Sequence, residues 1–301
     1  MPTVDFDADG RQHGVLALAR TDSPFERRDV PVSVLRRGEG PRVVIVASAD
    51  PDPATPIDRN GPTGGTGALA VHRLARELDT QSLVGTVVLV PGLPPGALSA
   101  LGREVFGHAD AVLELAPAGA GLAFSPVAAI RADTDDTMRE RAESMLIAFG
   151  APDSARLAPA FASGALDGAF EASIPHVRAT LDGVVAPADA LDIALAGCRN
   201  VLISSGVLDA PFALRATRML ALREADAVVQ SPSAGLFEPR VRAGLAVHRD
   251  YPVGLLVDPG QRGAAPVEIL APHDGIVIAL RRDTRVVAGN TLAVLAEEMP
   301  R

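Results

Sequence analysis

Six histidines and one cysteine are the whole stock of imidazole and thiol donors in these 301 residues, so metal or nucleophilic chemistry has few places to reside. His108, Glu114, His176, Arg178 and Asp182 lie on or beside segments that read as strands converging on one sheet edge, and Asp50, Asp52 and Asp58 stand on a loop rich in Pro and Gly. Imidazoles and carboxylates are donor types that suit a divalent transition metal. Catalytic zinc asks for three such protein ligands, an open position for water and a base beside that water. No two of these residues stand at a ligand spacing, and lone histidines at strand margins are more often satisfied structural groups. Cys198 has no histidine near it in sequence and sits where a strand is expected to begin, which favours a buried structural thiol over a nucleophile. Gly61, Gly64, Gly65 and Gly67 precede a helix start, where backbone N–H groups could cradle an anion. Without a lysine or a Gly-x-Gly-x-x-Gly order, a plain loop is the simpler reading.

The elements that must position these residues are legible from periodicity. Arg42 to Ser48 is a continuous β-branched run, the pattern of a strand covered on both faces. After the break comes a helical pattern at Ala68, Val71, Leu74, Ala75 and Leu78, with Thr66 placed to cap it. Further strands are predicted at Val30–Leu35, Thr86–Val90, Ala109–Leu115, Val127–Ile130 and Ile174–Asp182. Helices are predicted from about Asp135 to Phe149, stopped by Gly150, and over Ala190–Gly197. Residues 1–29 read as an arm or short edge strand. Beyond Gln230 short strands alternate with turns at Asp258-Pro259-Gly260, His273-Asp274-Gly275 and Ala288-Gly289-Asn290, spaced as in a small β-sandwich.

Composition narrows the chemistry. Hydrophobic residues make up 48% and aromatic ones 3%, with no Trp, so the core is built from Ala, Val, Leu and Ile. A net charge of -9 repels nucleic acid and anionic membranes, and no polybasic run overrides it. All 28 cations are arginine. A Walker-A phosphate loop, a pyridoxal Schiff base and a kinase active site each need a lysine and are excluded. One cysteine permits no internal disulfide, and no apolar run approaches the roughly 18 residues of a membrane span. A cytoplasmic protein that binds neither nucleic acid nor membrane is expected.

The run Gly64-Gly65-Thr66-Gly67-Ala68-Leu69-Ala70-Val71-His72-Arg73-Leu74-Ala75-Arg76-Glu77-Leu78, followed by Gly85-Thr86-Val87-Val88-Leu89-Val90-Pro91, is similar to the succinylglutamate desuccinylase/aspartoacylase family of zinc carboxypeptidase-like hydrolases. Resemblance continues at 109–119, 174–208 and 235–296. It implies an α/β fold: a three-layer, phosphorylase/hydrolase-like domain over 1–228 with a mixed, largely parallel sheet and helices on both sides. A β barrel-sandwich domain, biotinyl/lipoyl-like but without an attachment lysine, follows over 229–301.

The same resemblance assigns the family's zinc ligands and base to positions that cannot serve here. Gly61 falls at the first His, Gly64 at the Glu, Ala116 at the second His and Leu181 at the catalytic Glu, with Asp182 one residue on; the loop carrying the substrate-clamping Arg is missing. The resemblance therefore implies a chain that has lost zinc and zinc-dependent amide hydrolysis. It would act as a non-catalytic binding or partner subunit, in a homo-oligomer or in a hetero-oligomer with an active relative. The alternative is an active deacylase of N-acyl amino acid-like substrates with a site rebuilt from His176, Asp182 and Glu114.

Overall fold

The computed structural model describes residues 4–19, 27–48, 65–93, 105–118, 121–161, 173–181, 185–222, 227–261 and 263–300. Among these residues, ten strands precede residue 228: β1 (Gly10–Ala19), β2 (Arg27–Arg37), β3 (Arg42–Ser48), β4 (Gly85–Leu93), β5 (Ala111–Ala116), β6 (Leu122–Phe124), β7 (Val127–Arg131), β8 (Asp153–Leu157), β9 (His176–Thr180) and β10 (Arg218–Leu222). Eight follow: β11 (Val228–Gln230), β12 (Gly235–Pro239), β13 (Ala246–Val247), β14 (Pro252–Val257), β15 (Val267–Leu270), β16 (Gly275–Arg281), β17 (Arg285–Val286) and β18 (Thr291–Glu298). The longer helices are α1 (Thr66–Glu77), α2 (Asp136–Phe149) and α3 (Pro187–Ser204). Among the described residues no helix is long and apolar enough to cross a membrane.

The main sheet runs β1-β2-β4-β3-β5-β9-β7-β8-β10-β18-β16-β13. Its centre is parallel through β4, β3, β5 and β9. β7 then runs antiparallel to β9, with Val127 opposite Thr180, and β8 and β10 follow β7 in parallel. The starts of β7, β8 and β10 therefore share one rim with the ends of β3, β5 and β9. The mixed, largely parallel α/β sheet expected from the sequence is the one observed.

Alternation divides the central strands cleanly. Val43, Ile45, Val87, Leu113, Leu115 and Val177 face a core that also takes the buried sides of α1, α2 and α3. Val44, Val46, Val88, Val90 and Val112 face the other way, against Phe106, Ile174 and the inner side of β1 and β2. The sequence reading places helices on both faces; in the described residues all three long helices share one. Small residues set these contacts. A Cβ on Gly67 would lie 2.9 Å from Leu115 Cβ, so the first turn of α1 rests directly on β5. A Cβ on Gly197 would lie 2.5 Å from the Phe149 ring, which fixes α3 against the end of α2.

Several local expectations shift. The cap of α1 is Gly65, with Thr66 already inside the helix. Asp135 caps α2 by accepting from the Met138 N–H, and Gly150 ends it in the left-handed region at φ 65. Helix α3 extends well beyond Ala190–Gly197, so Cys198 is a buried helical residue and does not open a strand. Its pattern carries Leu195, Cys198, Val201 and Leu202 on one side, a helical period that a strand reading overlooks. The N-terminal arm is a ten-residue strand paired along its whole length with β2.

Residues after 229 form short strands in two similar units. Gly235–Pro239, Ala246–Val247 and Pro252–Val257 are echoed by Gly275–Arg281, Arg285–Val286 and Thr291–Glu298. A separate four-stranded sheet is ordered β15-β14-β12-β17. Pairing joins the two sides of position 229: β18 pairs with β10, and β6, from far up the chain, pairs with β16.

Candidate functional site

The rim formed by the ends of β3, β5 and β9 is where a parallel α/β sheet presents its loops to a ligand. The described side chains there are Ser48, Ala116, Thr180 and Leu181, all buried. Ala116 pairs with Thr180 across β5 and β9. By alternation it shares a face with Glu114 and not with Leu115, whereas Leu181 belongs to the core beneath the helices. The matched ligand and base positions thus hold a methyl group and an isobutyl group on opposite faces of the sheet. Gly61, Gly64, Asp50, Asp52, Asp58 and Asp182 lie outside the described residues.

Among the described residues, the donors at this rim do not make a zinc site. The metal needs three His, Cys or carboxylate ligands. Among the described residues no group of three His, Cys, Asp or Glu is placed to hold a metal ion.

The other sequence candidates lie elsewhere. His108 is exposed in a short 3-10 turn before β5, at the amino end of the parallel strands. His176 opens β9 at that same end, and Glu114 is in the middle of β5. Of the residues expected to converge on one edge, the described ones stand at two levels of the sheet. What the fold does bring together is Glu114, His176 and Arg178. Glu114 is the register partner of Arg178. Its Oε2 lies 3.9 Å from His176 Nε2 and 4.0 Å from Arg178 Nε, the range of ion pairs and not of direct hydrogen bonds. His176 is buried and neutral: burial, helped by the nearby Arg178 charge, pushes its pKa down to about 3. The cavity beside it has a volume of about 10 Å³, far below the roughly 300 Å³ at which small-molecule sites begin.

Cys198 is equally removed from chemistry. Burial pushes its thiol up to about 12, so the nucleophilic thiolate is not formed at neutral pH.

One polar cluster escaped the sequence reading. Asp153, 1% exposed at the start of β8, accepts from Ser125 Oγ at 3.0 Å and from Arg218 Nε at 2.8 Å, and forms an ion pair with Arg218 Nη2 at 2.7 Å. The three residues border a cleft of about 580 Å³ together with Thr217, Gly244 and Glu298. They share the rim with Ala116, because β7, β8 and β10 start where β5 and β9 end. Their signal in sequence is faint: each polar residue stands at or just before a short strand, and only the three-dimensional order makes them neighbours.

No protein-family model matches the chain. It is 28% identical to the N-alpha-acetyl-L-2,4-diaminobutyric acid deacetylase of Halomonas elongata, over 98% of this chain and 94% of that protein. Among solved structures, the product-bound ectoine utilization protein EutE (DoeB) of Ruegeria pomeroyi superposes with a TM-score of 0.84 at 25% identity, covering 99% of this chain and 98% of that one. A succinylglutamate desuccinylase/aspartoacylase of Rhodobacter sphaeroides superposes with a TM-score of 0.82 at 25% identity, covering 99% of each chain.

Proposed function

We propose, from the premise that this chain belongs to the succinylglutamate desuccinylase/aspartoacylase family, that it keeps the scaffold as a cytoplasmic binding or partner subunit without zinc-dependent amide hydrolysis. Its relatives are deacylases of N-acyl amino acids. The observation that carries the reading is the rim of β5 and β9. Ala116 stands where the resemblance implies an imidazole, and Leu181, where it implies the carboxylate base, is packed into the helix-side core. A methyl group cannot coordinate a cation, and a buried isobutyl group cannot take a proton from water.

The second reading is an active deacylase with a rebuilt site. The full-length similarity to a deacetylase supports this second reading, whereas the side chains at the rim support the first. On this reading donors from the 49–64 loop and Asp182 would do the work, because Glu114 and His176 are enclosed.

Metal analysis and an assay separate the two. Protein purified without chelator is expected to carry far less than one metal per chain and to release no acetate or succinate from N-acyl amino acids. One metal per chain together with turnover that a chelator abolishes would establish the deacylase. If turnover is absent, retained binding of N-acyl amino acids by calorimetry supports a binding role. Co-purification with an active relative supports the partner role.

A further inference from the structure

We infer that a single buried water molecule occupies the cavity between α2 and the start of β9 and bridges Thr134 to His176. Three independent observations converge on that point. Both ring nitrogens of His176 lack a hydrogen-bond partner, although the residue is only 5% exposed. The hydroxyl of Thr134 is buried and equally unpartnered. A recess of about 10 Å³, partly open on one side, is lined by these two residues and, among the other described residues, by Arg131 and the apolar Ile130, Met138, Ala142 and Ile174. That volume is the size of one water, for which the threshold is about 10 to 15 Å³.

The polarity of the lining decides what fills it. Apolar cavities of protein interiors stay dry, whereas a water needs two or more polar partners. Here Thr134 Oγ1 and a ring nitrogen of His176 supply two, and each would otherwise carry the desolvation cost of a lost hydrogen bond. The described residues of the wall carry no carboxylate, so the site suits a neutral molecule and not a metal ion.

The tautomer follows from the neighbours. Nε2 is the nitrogen nearest the Glu114 carboxylate, at 3.9 Å, so a neutral ring is best served by keeping its proton there. Nδ1 is then the acceptor and takes a hydrogen from the water, whose oxygen accepts from the Thr134 hydroxyl. The water thus joins the segment leading into α2 to the first residue of β9. It also gives His176 a place in the fold that requires no part in a reaction.

A high-resolution crystal structure of the full chain tests this, together with NMR on protein labelled with 15N-histidine. The expected result is one water peak within hydrogen-bond distance of Thr134 Oγ1 and His176 Nδ1, with His176 as the neutral Nε2-protonated tautomer. In Thr134→Val the peak should vanish. An empty cavity, protein partners for both groups, or a Nδ1-protonated or charged ring at neutral pH would overturn the inference. The wild-type measurements decide the matter even if the variant does not fold.

Discussion

At the scale of single residues, His176 makes the stability of this protein depend on acidity. Its pKa falls from 6.5 to about 3 on folding because the charged ring would be buried. Below about pH 6.5 the unfolded chain takes up a proton that the native state refuses, so stability is lost as pH falls from about 6.5 toward about 3. The slope for one such group is about 1.4 kcal/mol per pH unit. Urea midpoints at pH 7 and pH 5 should show this loss, and His176→Phe should show less of it over the same interval. Cys198 gives a second test. A thiol raised to about 12 and buried in α3 should react with a disulfide reagent only after denaturant unfolds the chain. Rapid labelling of the native protein would contradict its placement.

At the scale of elements, the packing of helices against each other and on the sheet depends on missing side chains. Gly197→Ala would put a Cβ 2.5 Å from the Phe149 ring, itself buried in the core and unable to move aside. Overpacking costs about 1 to 3 kcal/mol, against about 1 kcal/mol gained in helix propensity. The net expectation is a loss, read as a lower urea midpoint with an unchanged slope. Elements with strong periods were legible in the sequence: the β-branched run of β3, the helical pattern of α1 and the Asp135 to Gly150 frame of α2 all stand as read. Cys198 was misplaced because α3 runs on past Gly197, where an apolar stretch reads equally well as strand or helix. The distribution of donors was not legible either. His176 and Glu114 meet only because β5 and β9 are neighbours, and sequence cannot say at which height of a sheet two strand residues lie. Asp153, Ser125 and Arg218 stayed hidden for the same reason: their strands adjoin, but their positions are far apart along the chain.

At the scale of the whole molecule, the two parts distinguished by composition share hydrogen bonds and a core. β18 pairs with both β10 and β11, and Leu220, Ala279 and Val294 pack in one cluster. A fragment ending at 228 should therefore fail to give a cooperative thermal transition, whereas the full chain should melt in one step. Arg218→Ala probes the support of β10, the strand that β18 joins. It leaves the Asp153 carboxylate buried with only Ser125, and removing one partner of a buried pair costs about 3 to 5 kcal/mol. Because the Arg218 side chain is 32% exposed, the loss should fall near the low end, about 3 kcal/mol. A melting temperature unchanged from wild type would show that the ion pair does not hold β10 to β8.

The placement of β6 beside β16 carries a consequence for biosynthesis. Leu122–Phe124 leaves the ribosome roughly 150 residues before its partner strand at Gly275–Arg281. At typical translation speeds it waits roughly 10 to 30 s, a period in which nascent chains are prone to wrong associations. Three residues are a short bait for such encounters, and that brevity protects the growing polypeptide until its C-terminal half arrives.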